Sequence, residues 1–278
     1  MYNVTKKEQL NPDICLVEFE APDIAKAARA GQFIILRIDE KGERFPLTIY
    51  DYDVKKGTVC VVCQAVGVST KKLCALNKND FILDVAGPLG HAVSTEKIGN
   101  IICIGGGVGT AEAYPITKAY KESGNEVKVI IGARNKSLLI CEKELKSLGV
   151  ELYVATDDGS YGRKGFVTDV LKELLSKQKY DLIYAIGPIV MMKAVSQAAK
   201  PYNIKTLVSL NSIMIDGTGM CGGCRIKYNN ESKFTCVDGP EFDASLIDFD
   251  ELIKRQGRFS DKEKLALHEY ECRLGFKH

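Results

Sequence analysis

Along the first third of the chain, β-branched and aromatic residues fall in short runs, at 15–19, 33–38, 47–52, 58–65 and 81–86, each bounded by turn-forming residues. Runs of this length predict strands, and so many in under about a hundred residues predict a small barrel. The texture changes at Ile98. Apolar runs at 100–104, 126–131, 151–155, 182–186 and 206–210 now alternate with helical spacing at about 110–123, 143–148, 167–178 and 190–200. Parallel neighbours need a crossover helix, so this alternation predicts a doubly wound parallel sheet. A glycine- and cysteine-dense segment follows, and then an acidic tail whose apolar residues between Leu246 and Ile253 have near-helical spacing. The expected divisions are a β-barrel over 1–97, an α/β domain over 98–210, a loop domain over 211–242 and a tail over 243–278. The tail either packs on its own chain or meets a partner.

Composition narrows the classes. The 278 residues carry 38 basic and 36 acidic side chains, a net charge of +2, so nothing favours nucleic acid or an anionic membrane as partner. The first twelve residues are polar and mixed in charge, unlike a signal peptide, and no apolar run approaches the roughly 18 residues of a membrane span. Among the ten cysteines, Cys15, Cys60, Cys63, Cys74, Cys103 and Cys141 lie in strand-like apolar surroundings. They are expected to be buried and reduced, in a cytoplasmic protein. His91, His268 and His278 are too scattered to form a catalytic group.

The tightest chemical constraint is the spacing D-x4-C-x2-C-x11-C formed by Asp216, Cys221, Cys224 and Cys236. A plant-type [2Fe-2S] site uses C-x4-C-x2-C and a distant fourth cysteine, and here a carboxylate stands where the first thiolate would be. Gly217, Gly219, Gly222 and Gly223 suit a loop that must bend tightly around a cluster. Three thiolates and a carboxylate are also a conceivable zinc set, and Cys221 with Cys224 a conceivable redox dithiol. The dithiol ranks last, because Gly222 and Gly223 make a poor helix start.

A second motif, Gly105, Gly106, Gly107, Val108, Gly109 and Thr110, follows an apolar strand and precedes a helical pattern. Such a turn offers free backbone N–H groups and the positive end of a helix dipole to the phosphates of a dinucleotide. No acidic residue ends the next strand to hold a ribose; Arg134 and Lys136 stand there instead, which leaves NAD and NADP both open. Asp157, Gly187 and Pro188 fall at carboxyl ends of later strands, where open α/β sheets bind ligands. In the barrel, 44–50 and 64–71 are candidates for a larger cofactor, the second because Ser69 and Thr70 open a short helical pattern.

A β-barrel, a nucleotide domain and a cysteine loop closed by C-x2-G-P-x-F (Cys236, Gly239, Pro240, Phe242) together resemble the ferredoxin–NADP reductase-like electron-transfer subunits. These include the subunits of dihydroorotate dehydrogenase. The nearest likeness is to the small subunits of bifurcating NADH-dependent ferredoxin:NADP oxidoreductases and of sulfide dehydrogenase. In the dihydroorotate relatives a cysteine occupies the position of Asp216, so the aspartate favours the bifurcating side. The resemblance implies a Greek-key barrel carrying FAD, with Pro46, Leu47 and Thr48 beside the flavin, and Arg44, Val62, Cys63, Gln64, Ser69 and Thr70 near its ribityl and phosphate groups. The relatives often have arginine immediately before the proline; here Phe45 stands there and Arg44 is displaced by one position. NAD(H) would bind at 105–110 with Asp157, Gly187 and Pro188, and a larger flavin and iron–sulfur subunit would complete a heterodimer.

Overall fold

The computed structural model describes residues 1–273, so His278 and the end of the expected tail, 274–278, lie outside the described residues. The first domain is an antiparallel barrel of β1 (Tyr2–Asn11), β2 (Ile14–Glu20), β3 (Phe33–Arg37), β4 (Phe45–Asp53), β5 (Thr58–Gln64), β6 (Phe81–Ile82) and β7 (Asp84–Leu89), with short helices α1 (Pro22–Ala27) and α2 (Val68–Ala75). Its strand order is β6-β1-β2-β5-β4-β3-β7. The barrel nearly closes because β6 and β7 are separated by Leu83 alone yet pair with opposite edges of the sheet. Alternation along β3 sends Ile34 and Leu36 into the barrel core and turns Phe33 and Ile35 outward.

The second domain contains β8 (Asn100–Gly106), α3 (Gly109–Glu122), β9 (Glu126–Ala133), α4 (Glu142–Ser147), β10 (Glu151–Thr156), β11 (Arg163–Lys164), α5 (Val167–Lys177), β12 (Leu182–Ile186), α6 (Ile189–Ala199) and β13 (Lys205–Ser209). Strands β10-β9-β8-β12-β13 are all parallel. β8 is buried from Ile101 to Gly106 because helices cover both faces, which is why its sequence reads as an unbroken apolar run. Chain order reverses between β8 and β12, and ligands of such sheets bind outside the carboxyl ends of the strands at that reversal.

The remaining elements are β14 (Arg225–Tyr228), β15 (Glu231–Phe234), α7 (Thr235–Asp238), β16 (Glu241–Asp243), α8 (Phe249–Gln256) and α9 (Ser260–Arg273). β16 adds antiparallel to β13, so the end of the cysteine segment becomes the last strand of the nucleotide sheet. The first part of the tail packs on its own chain: Phe249 and Leu252 of α8 join the core against α6, and Asp248 caps α8 by accepting from the Glu251 N–H at 3.0 Å. α9 has no buried residue and meets α2 through an ion pair between Lys71 and Glu271. Among the described residues, no helix is long and apolar enough to cross a membrane.

One expectation is corrected here. Cys15 and Cys74 form a disulfide between β2 and α2, with Cα atoms 5.9 Å apart, rather than two separate thiols. Nothing local predicts this pair, because 59 positions separate its members. Cys60, Cys63, Cys103 and Cys141 are free thiols, and burial pushes each up to about 12.

Candidate functional site

Three parts of the site meet on the outer face of β3 and β4. Alternation along β4 directs Leu47 and Ile49 to the barrel core, leaving Thr48 and Tyr50 toward the nucleotide domain. The Thr48 hydroxyl donates to Glu112 Oε2 on α3 at 3.0 Å, and Tyr50 stacks on Tyr114 of α3 with centroids 5.2 Å apart. Phe33 is the cross-strand partner of Thr48, and Phe33 packs with Ile35, Met214, Cys224 and Cys236. One strand pair therefore touches both the nucleotide helix and the cysteine segment.

In the nucleotide loop each glycine has its own reason. A Cβ at Gly105 would lie 2.7 Å from Thr110 Cα, and one at Gly109 would lie 2.6 Å from the Ile186 carbonyl oxygen, so only glycine lets β8, α3 and β12 approach this closely. Gly107 has φ +58° and open space where a Cβ would stand, a cradle that fits a phosphate. Thr110 is buried and its N–H bonds the Gly107 carbonyl at 3.1 Å, which closes the turn into α3. Gly187 lies beside Gly106, whose carbonyl oxygen would be 2.9 Å from a Cβ there, and Pro188 precedes α6 at the reversal point. Arg134 and Asp157 are exposed on the loops after β9 and β10. Those loops are tied together: Ser160 donates to Asp158 at 2.7 Å and accepts from the Lys136 N–H at 2.8 Å.

On the barrel, Val62 faces the nucleotide domain beside Ala111 and Cys141, while Cys63 faces the barrel core, so only its backbone is left for a ligand. The Leu47 side chain likewise packs inward, so its backbone is the part that faces the outer side of β4. Gln64 is half-buried and Arg44 exposed. At the start of α2 the Thr70 hydroxyl accepts from the Gly67 N–H at 2.9 Å and donates to the Gly67 carbonyl at 3.0 Å, so it closes the helix mouth. Ser69 is half-buried and donates to Glu43 at 3.4 Å.

In the cysteine loop the sulfurs of Cys224 and Cys236 are buried and 3.2 Å apart. Two thiolates about 2.3 Å from one tetrahedral metal stand roughly 3.7 Å from each other, so this pair needs to open only slightly. Asp216 accepts from the N–H groups of Thr218 at 2.8 Å and Cys221 at 2.7 Å, which hold its carboxyl below the usual range. Each of its oxygens keeps a lone pair for a metal. Burial, together with neighbouring Cys224, pushes the Cys236 thiol up to about 12, so metal binding must release its proton. Among the described residues, no group of three or more His, Cys, Asp or Glu is gathered tightly enough to cage a metal ion. The structure thus joins Cys224 to Cys236, and Asp216 to Cys221 through the loop backbone. The donor chemistry fits a cluster of two irons.

The segment 211–248 matches the family "iron–sulfur cluster binding domain of dihydroorotate dehydrogenase B", and 103–197 matches the "oxidoreductase NAD-binding domain". Over 267 residues the chain is 43% identical to the dihydroorotate dehydrogenase B electron transfer subunit homolog of Thermotoga maritima, covering 96% of this chain and 94% of the relative. The chain belongs to the dihydroorotate dehydrogenase B electron-transfer subunit family. Another family member, from Fusobacterium nucleatum, is 32% identical over 89% of this chain and 97% of its own. A solved structure described as NADH-dependent reduced ferredoxin-NADP oxidoreductase, from work on flavin-based electron bifurcation, superposes with a TM-score of 0.92. It is 42% identical, over 97% of this chain and 98% of its own. An Amycolatopsis cytochrome P450 reductase shares the fold at 22% identity and a TM-score of 0.63, over 73% of this chain and 66% of its own. Membership in this family decides between the metals weighed above, in favour of iron–sulfur over zinc.

Sequence reasoning missed Phe33 and Glu112. Phe33 looks like any strand residue, and its role exists only through pairing. Glu112 carried a signal: it is a lone charge in the small and apolar stretch from Thr110 to Pro115.

Proposed function

We propose that this chain is the electron-transfer subunit of a cytoplasmic, bifurcating NADH-dependent ferredoxin:NADP oxidoreductase, working with a larger flavin and iron–sulfur subunit. The observation that carries this reading is the shared outer face of β3 and β4, where Thr48 bonds α3 while its partner Phe33 packs on Cys224 and Cys236. A flavin on that face supplies the change from two-electron exchange with NAD(H) to one-electron exchange with the cluster. Pro46 and Thr48 flank the ring, the backbone of Val62, Cys63 and Gln64 follows its ribityl chain, and Ser69 with the start of α2 receives its phosphates. Arg44, exposed just before β4, reaches toward those phosphates. The loop 105–110 with Gly187 and Pro188 receives the dinucleotide phosphates, while Arg134 and Asp157 border its adenosine end. Cys224 and Cys236 hold one iron, and Asp216 and Cys221 hold the other. Phe33 and Ile35 keep water from the space between barrel and cluster. The larger subunit meets the exposed Ile215, Met220 and Val237 around the cluster loop, together with Leu246 and Ile253 of the tail.

The test is anaerobic purification of the chain with its co-expressed large subunit. The expected preparation contains FAD, equal iron and sulfide in the small chain, and a paramagnetic signal after reduction by NADH. Zinc in place of iron, or a cluster that NADH leaves oxidised, would overturn the proposal.

A further inference from the structure

Glu112 is a carboxyl group shared by two domains. It lies in the first turn of α3, directly after the glycine loop, and accepts a hydrogen bond from Thr48 of the barrel at 3.0 Å. The helix dipole favours a carboxylate at this end, whereas loss of water disfavours one. Glu112 is half-buried; its loss of water prevails and pushes it up to about 7, with the Thr48 hydrogen bond pulling the other way. The elements packed on α3 carry the titratable groups Tyr50, Asp51, Tyr52 and Asp53 on β4, Cys103 on β8, Glu126 and Lys128 on β9, Tyr184 on β12 and Glu142, Lys143, Glu144 and Lys146 on α4. None of these supplies a charge that sets the behaviour of Glu112; burial and Thr48 are its causes. The carboxyl therefore responds chiefly to whatever charge arrives at the loop, and a dinucleotide brings two negative phosphates to that helix end.

We propose that Glu112 takes up one proton when a dinucleotide binds at 105–110, and that this uptake turns the acceptor of the Thr48 hydroxyl from a carboxylate into a neutral, weaker-accepting carboxyl. The proton comes from solvent and forms an O–H bond on a carboxyl oxygen; no other bond changes. Glu112 is thus a positioning residue that makes the hydrogen-bonding state of the barrel face depend on nucleotide occupancy. The inference rests on the reading of this loop as the dinucleotide site.

The experiment is a calorimetric titration of the oxidised, flavin-loaded complex with NAD⁺ between about pH 6 and about pH 9, in buffers of different ionisation enthalpy. Wild-type protein is expected to take up a proton on binding, with the dissociation constant rising by up to about tenfold per pH unit above neutrality. Glu112→Gln is expected to show neither the uptake nor the slope. Thr48→Val removes the hydrogen bond that holds the carboxyl down, so it is expected to move the midpoint to higher pH, and it serves as the probe should Glu112→Gln fail to fold. A pH-independent wild-type affinity, a slope that survives in Glu112→Gln, or an unmoved midpoint in Thr48→Val overturns the role of Glu112 alone. Absence of NAD⁺ binding at every pH, in protein that retains flavin, overturns the loop assignment and this inference with it.

Discussion

Two glycine-rich loops approach the barrel, and glycine serves them differently. In the nucleotide loop, Gly105 and Gly109 are dictated by neighbours: a Cβ would come within 2.7 Å of Thr110 and 2.6 Å of the Ile186 carbonyl. The surrounding sheet fixes that loop. In the cysteine loop, Gly217, Gly219 and Gly222 have φ values of +75°, +87° and +66°, so the chain curls through its own dihedrals. Asp216 then ties the curl by bonding two N–H groups ahead of it in sequence. The first loop is held from outside by packing and the second chiefly by its own dihedrals and Asp216, with Gly217 its one close contact to the barrel, so the two should fail in different ways.

The largest break is expected from Cys236→Ser. Iron should fall to background in metal analysis and the reduced-state paramagnetic signal should vanish, while FAD content stays near one per chain, because serine fills nearly the same space beside Phe33. Loss of flavin together with iron would show that the two sites are not separable.

Within the nucleotide loop, Gly109→Ala and Gly107→Ala sharpen the contrast. Overpacking at Gly109 is expected to cost about 1–3 kcal/mol in denaturant unfolding. At Gly107 an added methyl meets no atom, and the left-handed backbone alone costs about 1 kcal/mol. Its main effect should be weaker NAD⁺ binding, read by titration of the flavin spectrum. Equal destabilisation by both changes would contradict the packing account.

Glu241 tests the seam between the two regions, because it lies on β16, where the cysteine segment rejoins the sheet. Burial raises its carboxyl from 4.5 to about 7, against the opposing effects of Lys205 and Tyr184. The folded protein thus holds this proton more tightly than the unfolded chain. That contribution to stability is full below about pH 4.5 and is lost as the pH rises through about 7. Glu241→Gln should remove the decline and, above neutrality, exceed wild type by about 1–2 kcal/mol, allowing for partial exposure. Denaturant midpoints at about pH 5 and about pH 8 check the sign. A smaller effect is expected at α2: Thr70→Val, which removes a bond at each end of the Thr70 hydroxyl, should lower stability by about 1 kcal/mol in thermal unfolding.

Much of the scaffold was legible because its signals are local. The apolar run of β8, the glycines after it and the β–α alternation all lie within a few residues of what they determine. β1 escaped notice because its polar face reads as mixed charge; its side chains are buried only at Val4 and Asn11. The hairpin of β14 and β15 lay within the segment read only as glycine- and cysteine-dense, although Asn229 and Asn230, both at positive φ, are a recognisable two-residue turn. The meeting of Thr48 with Glu112, the Cys15–Cys74 bond and the addition of β16 to β13 depend on residues 64, 59 and about 34 positions apart. No local pattern carries such information.

The path of the cysteine segment has a mechanical consequence. It departs from the sheet edge at β13, returns to that same edge at β16, and at Gly217 leans so closely on Ile35 and Leu89 that a Cβ would lie 2.8 and 2.7 Å from them. An arch with both feet on one domain and its crown against the other has no hinge of its own. Any sliding of the barrel across the nucleotide sheet must carry strain into the cysteine loop, so the gap an electron crosses is set by how firmly the two large domains are clamped together.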